Sequence, residues 1–210
     1  MESLPQVVGD VGVTAATEFS ILATSLLLVS LFGRLMGAVA LGEYLLVRRV
    51  VTGLQSGVQM GFAVALPKHV ARAVKGPEGQ REAYFLVALS CLIAFAICVG
   101  LLLTAGRQAF ARLLLGNTQM AHLVLPLSVW LLTLAAQVAV YGYYRGCLAM
   151  GRANAFQLCN YVLIPLVAIV FLYRTYSVAL IMSAIGFAIL ISAGLFTGPI
   201  IFEHIGGARV

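Results

Sequence analysis

The chain has 210 residues, 62% of them apolar and only 10% charged, where a water-soluble domain is about 45–50% apolar and about 25% charged. So few charges cannot cover so much apolar surface in water, which excludes an ordinary soluble fold and points to lipid as the solvent. The formal net charge of +6 comes from 13 Lys and Arg against 7 acids; the basic residues are scattered over segment ends, as in a membrane protein, and do not form a nucleic-acid surface.

A bilayer core is about 30 Å thick and takes about 20 helical residues to cross. On that measure the apolar segments run over 13–32, 44–66, 84–105, 121–143, 156–173 and 178–197. The expected fold class is an all-α membrane protein, a single bundle of about six transmembrane helices filling residues 1–210. The N-terminus, Met1-Glu-Ser-Leu-Pro, has no basic leader region, so the first segment reads as a retained helix. Breakers fall between segments at Gly33, Gly37 and Gly42, at Pro67, Gly76, Pro77 and Gly79, at Gly106, Gly116 and Asn117, and at Gly151.

The first segment carries Glu18 about two turns in. It either faces a polar cavity, pairs with Arg48 or Arg49, or sits near the membrane interface. The second segment is the most informative. At 100° per residue, Thr52, Gln55 and Gln59 fall on the same face as Arg48, with Arg49 and Ser56 to one side. Gly53, Gly57 and Gly61 fall on the opposite face as two overlapping G-x-x-x-G steps, the spacing that lets helix backbones approach closely in lipid. The glycine face is expected to pack on a neighbour and the polar face to line a wet cavity. A charge at the bilayer centre costs at least about 2.5–3.5 kcal/mol and usually marks function; the competing reading is that the two arginines lie a turn inside the interface and snorkel to it. Gln137, Tyr141, Tyr144 and Arg145 end the fourth segment, and Asn154, Gln157, Asn160 and Tyr161 open the fifth before Pro165. Interhelical hydrogen bonding and interfacial anchoring account for these, with Pro165 expected to kink its helix.

Orientation follows from the flanking charges. Lys68, Arg72, Lys75, Arg81, Arg145, Arg152 and Arg209 share the side of the N-terminus, seven against Arg34, Arg107, Arg112 and Arg174 on the other. Both termini are therefore expected in the cytoplasm. Cys91, Cys98, Cys147 and Cys159 show no C-x-x-C spacing, and His69, His122 and His204 are far apart, so neither a disulfide framework nor a metal site is expected. There is no G-x-S-x-G, no H-E-x-x-H, and Asp10 is the single aspartate; an enzyme is not expected, nor a cofactor.

Gly33-Arg34-Leu35-Met36-Gly37 followed by Leu41-Gly42-Glu43-Tyr44 resembles the first-loop pattern R-x-x-G…G-x-Y of polysaccharide and O-antigen lipid flippases, members of the multidrug/oligosaccharidyl-lipid/polysaccharide exporter superfamily. Gly61 to Arg72 is similar to that family's exit from its second helix, and Tyr143 to Arg152 to its loop between helices four and five. The resemblance spans roughly residues 10–200. It implies one lobe of a two-lobe transporter that moves undecaprenyl-diphosphate-linked oligosaccharide across the bacterial inner membrane. It also implies a cavity in which Arg48 and Arg49 bind the diphosphate, with Arg34 and Arg145 nearer the two faces. Gln55 and Gln59 would contact sugar hydroxyls, and Glu18 would couple transport to an ion or proton. Family members have about twice as many helices, so a second six-helix lobe, from another copy or a separate chain, is the expected partner. The rival readings are a multidrug or small-molecule antiporter of the same superfamily and a non-transporting scaffold of a polysaccharide assembly complex.

Overall fold

The computed structural model describes residues 4–59, 61–73, 76–77, 79–174 and 177–207. These residues are helical with no strand among them: α1 (Leu4–Gln59), α2 (Phe62–Ala73), α3 (Gln80–Ala105), α4 (Arg107–Leu114), a 3-10 turn (Thr118–Leu123), α5 (Val124–Gly146), α6 (Met150–Leu158), a π turn (Cys159–Leu163), α7 (Ile164–Leu172) and α8 (Val178–Gly207). Five helical runs are long and apolar enough to cross a bilayer: Val11–Gly57, Gln80–Ala105, Thr118–Gly146, Met150–Leu172 and Val178–Phe202. The chain is a multi-pass helical membrane protein. Lys75 and Arg209, counted among the flanking charges, lie outside the described residues.

The first run departs most from expectation. Gly33 and Gly42 do not sit in a loop; helix runs through both, and the break is confined to Gly37 at φ 88°, ψ 175°. That backbone region is essentially reserved for glycine. The arms 4–36 and 38–59 fold back on each other there. Ser25 and Arg48 would be about 35 Å apart in a straight helix at 1.5 Å per residue, yet the Arg48 guanidinium donates to Ser25 Oγ at 2.8 Å. Closer to the fold, Phe32 and Tyr44 stack with ring centroids 4.3 Å apart. α1 is thus a helical hairpin with Gly37 at its tip.

The second arm ends at Gln59, not at Leu66 as the apolar run implied. Gly61, at φ 78°, breaks the helix, and Phe62–Ala73 continues as the separate helix α2 with Pro67 inside it. Of the later runs, the fifth starts at Met150 instead of 156, α8 continues to Gly207 instead of 197, and Gly106 leads directly into the short helix α4.

α5 is the axis of the bundle, with α1, α2, α3 and α8 packed around it. Small residues let the neighbours in. A Cβ on Gly146 would stand 2.6 Å from Val70 Cβ and 2.8 Å from the Pro67 carbonyl oxygen of α2, and one on Gly186 of α8 would stand 2.6 Å from Val129 Cγ1. Polar side chains of α5 reach backbone carbonyls of α8: Trp130 Nε1 donates to Met182 O at 2.9 Å, Thr133 Oγ1 to Gly186 O at 3.2 Å and Tyr144 Oη to Phe196 O at 2.7 Å. On its other side Tyr143 Oη donates to Glu82 Oε1 of α3 at 3.0 Å. Lipid offers these donors no alternative partner, so each bond both satisfies a group and orients a helix.

Pro165 stands at the first turn of α7, directly after the π turn, and helix runs on through it. It has no N–H, and its ring crowds the carbonyl of the preceding turn. The chain absorbs this in the π turn, where the Ile164 N–H bonds to Cys159 O.

Candidate functional site

Between the α1 hairpin and the α5–α8 side of the bundle lies a cavity of about 210 Å³. Ile21, Ser25, Leu28 and Phe32 come from the first arm, and Tyr44, Arg48, Val51, Thr52 and Gln55 from the second. α5 contributes Trp130, Thr133 and Gln137, the π turn Asn160 and Tyr161, α7 Pro165 and α8 Ile185 and Ile189. A second cavity of about 230 Å³ adjoins it, with Gln59, Pro67, Tyr141, Arg145 and Gln157 in its wall. Gln55, Leu134, Gln137 and Tyr161 line both. The two therefore form one trough, from the stacked Phe32–Tyr44 pair near the hairpin tip toward Arg145 at the end of α5.

The polar stripe of the second arm lines this trough along its length: Arg48, Thr52 and Gln55 in the first cavity and Gln55 and Gln59 in the second. Arg48 is partly buried. Starting its helix at 38 instead of 44, and ending it at Gln59, places it near the midpoint of the arm 38–59 instead of one turn inside the end. An arm of that length spans about 33 Å at 1.5 Å per residue, close to a full bilayer core. No carboxylate lines either cavity, and among the described residues no acid pairs with Arg48; the ion pairs there are Arg81–Glu82 and His122–Glu43. A guanidinium in that position, with no carboxylate paired to it among the described residues and neutral polar groups around it, has the chemistry to accept an anion.

Other sequence candidates are not gathered here. Arg49 points to the outer side of the hairpin, in a shallow hollow with Leu46, Val50, Gly53, Leu54 and Leu114. One residue of helix turns a side chain by 100°, so the adjacent arginines serve different surfaces. Arg34 is exposed beside the hairpin tip and lines neither cavity. Arg145 lines the second cavity, its guanidinium 5.5 Å from the centre of the Tyr141 ring. Glu18 is exposed, lines neither cavity and forms no ion pair with either arginine. It lies about 28 Å along the helix from Gly37, close enough to Tyr161 of the trough wall to act on it electrostatically. The expected packing of the glycine face is not found among the described residues. A Cβ at Gly53, Gly57 or Gly61 would meet nothing within 4 Å, because the hairpin packs on α5 through its other side and Gly61 serves as a helix break.

No family model, curated protein or solved structure matches the chain.

Several trough residues carried no sequence signal that assigned them to it. Ser25 is a lone hydroxyl in an apolar run, and Trp130 and Thr133 sit among aliphatic residues of α5. Gln137, Asn160 and Tyr161 stood out as polar residues within apolar segments but were read as interhelical bonds. That is correct for one pair, Tyr161 Oη donating to Gln137 Oε1 at 3.1 Å. Asn154 likewise bonds Thr14 Oγ1 at 3.3 Å. Glu82, buried in the first turn of α3, falls between the expected segments 44–66 and 84–105.

Proposed function

We infer that the chain is one lobe of a transporter that flips an anionic lipid-linked oligosaccharide, an undecaprenyl-diphosphate-linked sugar, across the bacterial inner membrane. The observation that carries this reading is Arg48: a cation near the middle of a bilayer-length helix, fixed by Ser25, facing a trough with amide and hydroxyl side chains and no acid. A diphosphate suits the guanidinium, and sugar hydroxyls suit Gln55, Gln59 and Gln137. A trough open along one side lets a polar headgroup slide while its isoprenyl chain stays in lipid. An antiporter for organic cations would want a carboxylate in the same place, and the nearest candidate, Glu18, stands outside both cavities. A pure scaffold has no use for a charged trough at that depth.

With the two hairpin arms counted as separate crossings, six spans put both termini on one side, and the flanking charges favour the cytoplasm for that side. A second lobe, from another copy or a separate chain, would close the trough's open side. The test is export of lipid-linked sugar, by complementation or in liposomes, at matched protein levels. A charge-assisted hydrogen bond contributes about 1.5–3 kcal/mol, so Arg48→Gln is expected to slow transport about tenfold to hundredfold. Arg49→Gln, on the outer surface, should leave it near wild type. Full transport by Arg48→Gln would sink the reading.

A further inference from the structure

Among the described trough residues, Asn160 is the one with both side-chain polar atoms buried and unpaired; Gln157 in the second cavity leaves only its Oε1 so. Asn160 is 0% exposed, it lines the Arg48 cavity, and both Nδ2 and Oδ1 lack a hydrogen-bond partner. Neighbouring polar side chains differ: Tyr161 bonds Gln137, Asn154 bonds Thr14, and Thr133 bonds the carbonyls of Val129 and Gly186. Buried amides are almost always paired, and an orphaned one calls for an explanation. The π turn accounts for the position of Asn160, because Pro165 forces the wider turn. It does not account for an amide there; a leucine of similar size would fill the space without orphaned groups.

An amide offers a donor and an acceptor side by side and no charge. A bare phosphate uses only the donor and an organic cation only the acceptor. A hydroxyl or an acylamino group uses both. Arg48 and Asn160 wall the same cavity, so the neutral group and the anion belong to one ligand.

We propose that Asn160 is a specificity-determining contact of the Arg48 cavity, hydrogen-bonding through its amide to a hydroxyl or acylamino group carried beside the anionic group of a lipid ligand. The proposal rests on the flippase reading and adds to it the residue that distinguishes a sugar-bearing lipid from its bare diphosphate. The same chemistry is present in a glycerol headgroup, so the test includes both sources.

The full-length chain in mild detergent is titrated in native mass spectrometry with undecaprenyl diphosphate, with the same lipid bearing one N-acetylhexosamine, and with phosphatidylglycerol. The wild type is expected to prefer the glycosylated lipid over the bare one. Asn160→Leu should shrink that preference roughly threefold to tenfold with affinity for undecaprenyl diphosphate unchanged and a thermal midpoint equal to or above wild type. Asn160→Ser, which keeps a donor and an acceptor, should retain part of the preference. Arg48→Gln should weaken both isoprenyl lipids alike. An undiminished preference in Asn160→Leu, or a wild type that binds the two isoprenyl lipids equally, overturns the proposal while loss of both in Arg48→Gln keeps the flippase reading. A lowered midpoint with equal loss for both lipids makes Asn160 a structural residue and also overturns it. If Asn160→Leu instead weakens only phosphatidylglycerol, the contact stands and the glycerol headgroup replaces the sugar. Binding of none of the three by the wild type overturns proposal and reading together.

Discussion

Gly142 and Gly146 on α5 share the four-residue spacing of Gly53 and Gly57 on the second hairpin arm, yet their surroundings are opposite. A Cβ on Gly146 runs into Val70 and the Pro67 carbonyl, and one on Gly142 comes within 3.2 Å of Leu66, whereas Gly53 and Gly57 meet nothing within 4 Å. The contrast extends to the elements that carry them: most residues of α5 are buried inside the chain, whereas on the second arm Thr52, Gly53, Ser56 and Gly57 are exposed. One region holds the bundle together. The other leaves its outer surface to lipid or to a partner and its inner surface to the trough. A G-x-x-x-G step makes close approach geometrically available; whether a helix takes it depends on which face the rest of the fold turns toward a neighbour.

The sharpest way to break the comparison is Gly146→Leu. The atoms in its path include a backbone carbonyl and a Cβ, neither of which a rotamer change can move. Overpacking of a tight site costs about 1–3 kcal/mol and sometimes more, so α2 should be displaced and the thermal midpoint in detergent should fall steeply, with aggregation on size-exclusion. A folded, wild-type-like Gly146→Leu would mean α2 does not pack on α5 in this way.

Gly37→Ala comes next. At φ 88°, ψ 175° an alanine is held in a backbone region that costs about 1–3 kcal/mol. No neighbouring atom opposes the added Cβ, so the strain is purely conformational and local to the hairpin tip. Hydrogen exchange should speed up at the start of the second arm while α3 and α5 keep their protection. Uniform loss across the bundle would show that the hairpin and the α5 axis unfold as one unit, erasing the distinction drawn between them.

Tyr143→Phe tests the packed side with a smaller effect. It removes the 3.0 Å bond to Glu82 Oε1 and leaves a buried carboxylate whose other oxygen already lacks a partner. Interhelical hydrogen bonds in membranes average about 0.6 kcal/mol and reach about 1.7. A buried acid losing its donor belongs at the upper end, and a shift in thermal midpoint measures it. No shift would mean Arg81, 3.7 Å from the same oxygen, holds the charge alone.

The sequence shows these regions unequally. Helical membrane class is legible because lipid demands apolar runs of bilayer length, and each of the last four expected segments overlaps one such run. The stripe of Arg48, Thr52, Gln55 and Gln59 is legible because it needs only the 100° period. The hairpin tip is not: three glycines and Arg34 look like a loop, and nothing local reveals that Gly37 alone makes the turn while helix continues through Gly33 and Gly42. The break at Gly61 is hidden by the apolar residues on both sides of it, and it is the missed helical start at 38 that moves Arg48 from midspan to the edge. Ser25, Trp130 and Asn160 join the trough only through tertiary packing, which no pattern along one helix encodes. The same holds for the choice between the two glycine pairs.

The smallest effect expected on the chain itself is that of Gly57→Leu. Its Cβ enters open space, and leucine is a better helix former than glycine by somewhat under about 1 kcal/mol, so the monomer's thermal midpoint should hold or rise slightly. Its consequence lies in association. Gly53 and Gly57 give the second arm a flat outer face next to Arg49, turned away from the trough, and a further copy of the chain would seat there if it uses close backbone contact. Leucine at position 57 should then weaken self-association in nanodiscs by about tenfold or more, the equivalent of roughly 1–3 kcal/mol of overpacking, while Gly146→Leu lowers stability without sparing the fold. A Gly57→Leu chain that self-associates as well as wild type would place the further copy elsewhere, against the trough side alone, and leave the outer glycines facing lipid.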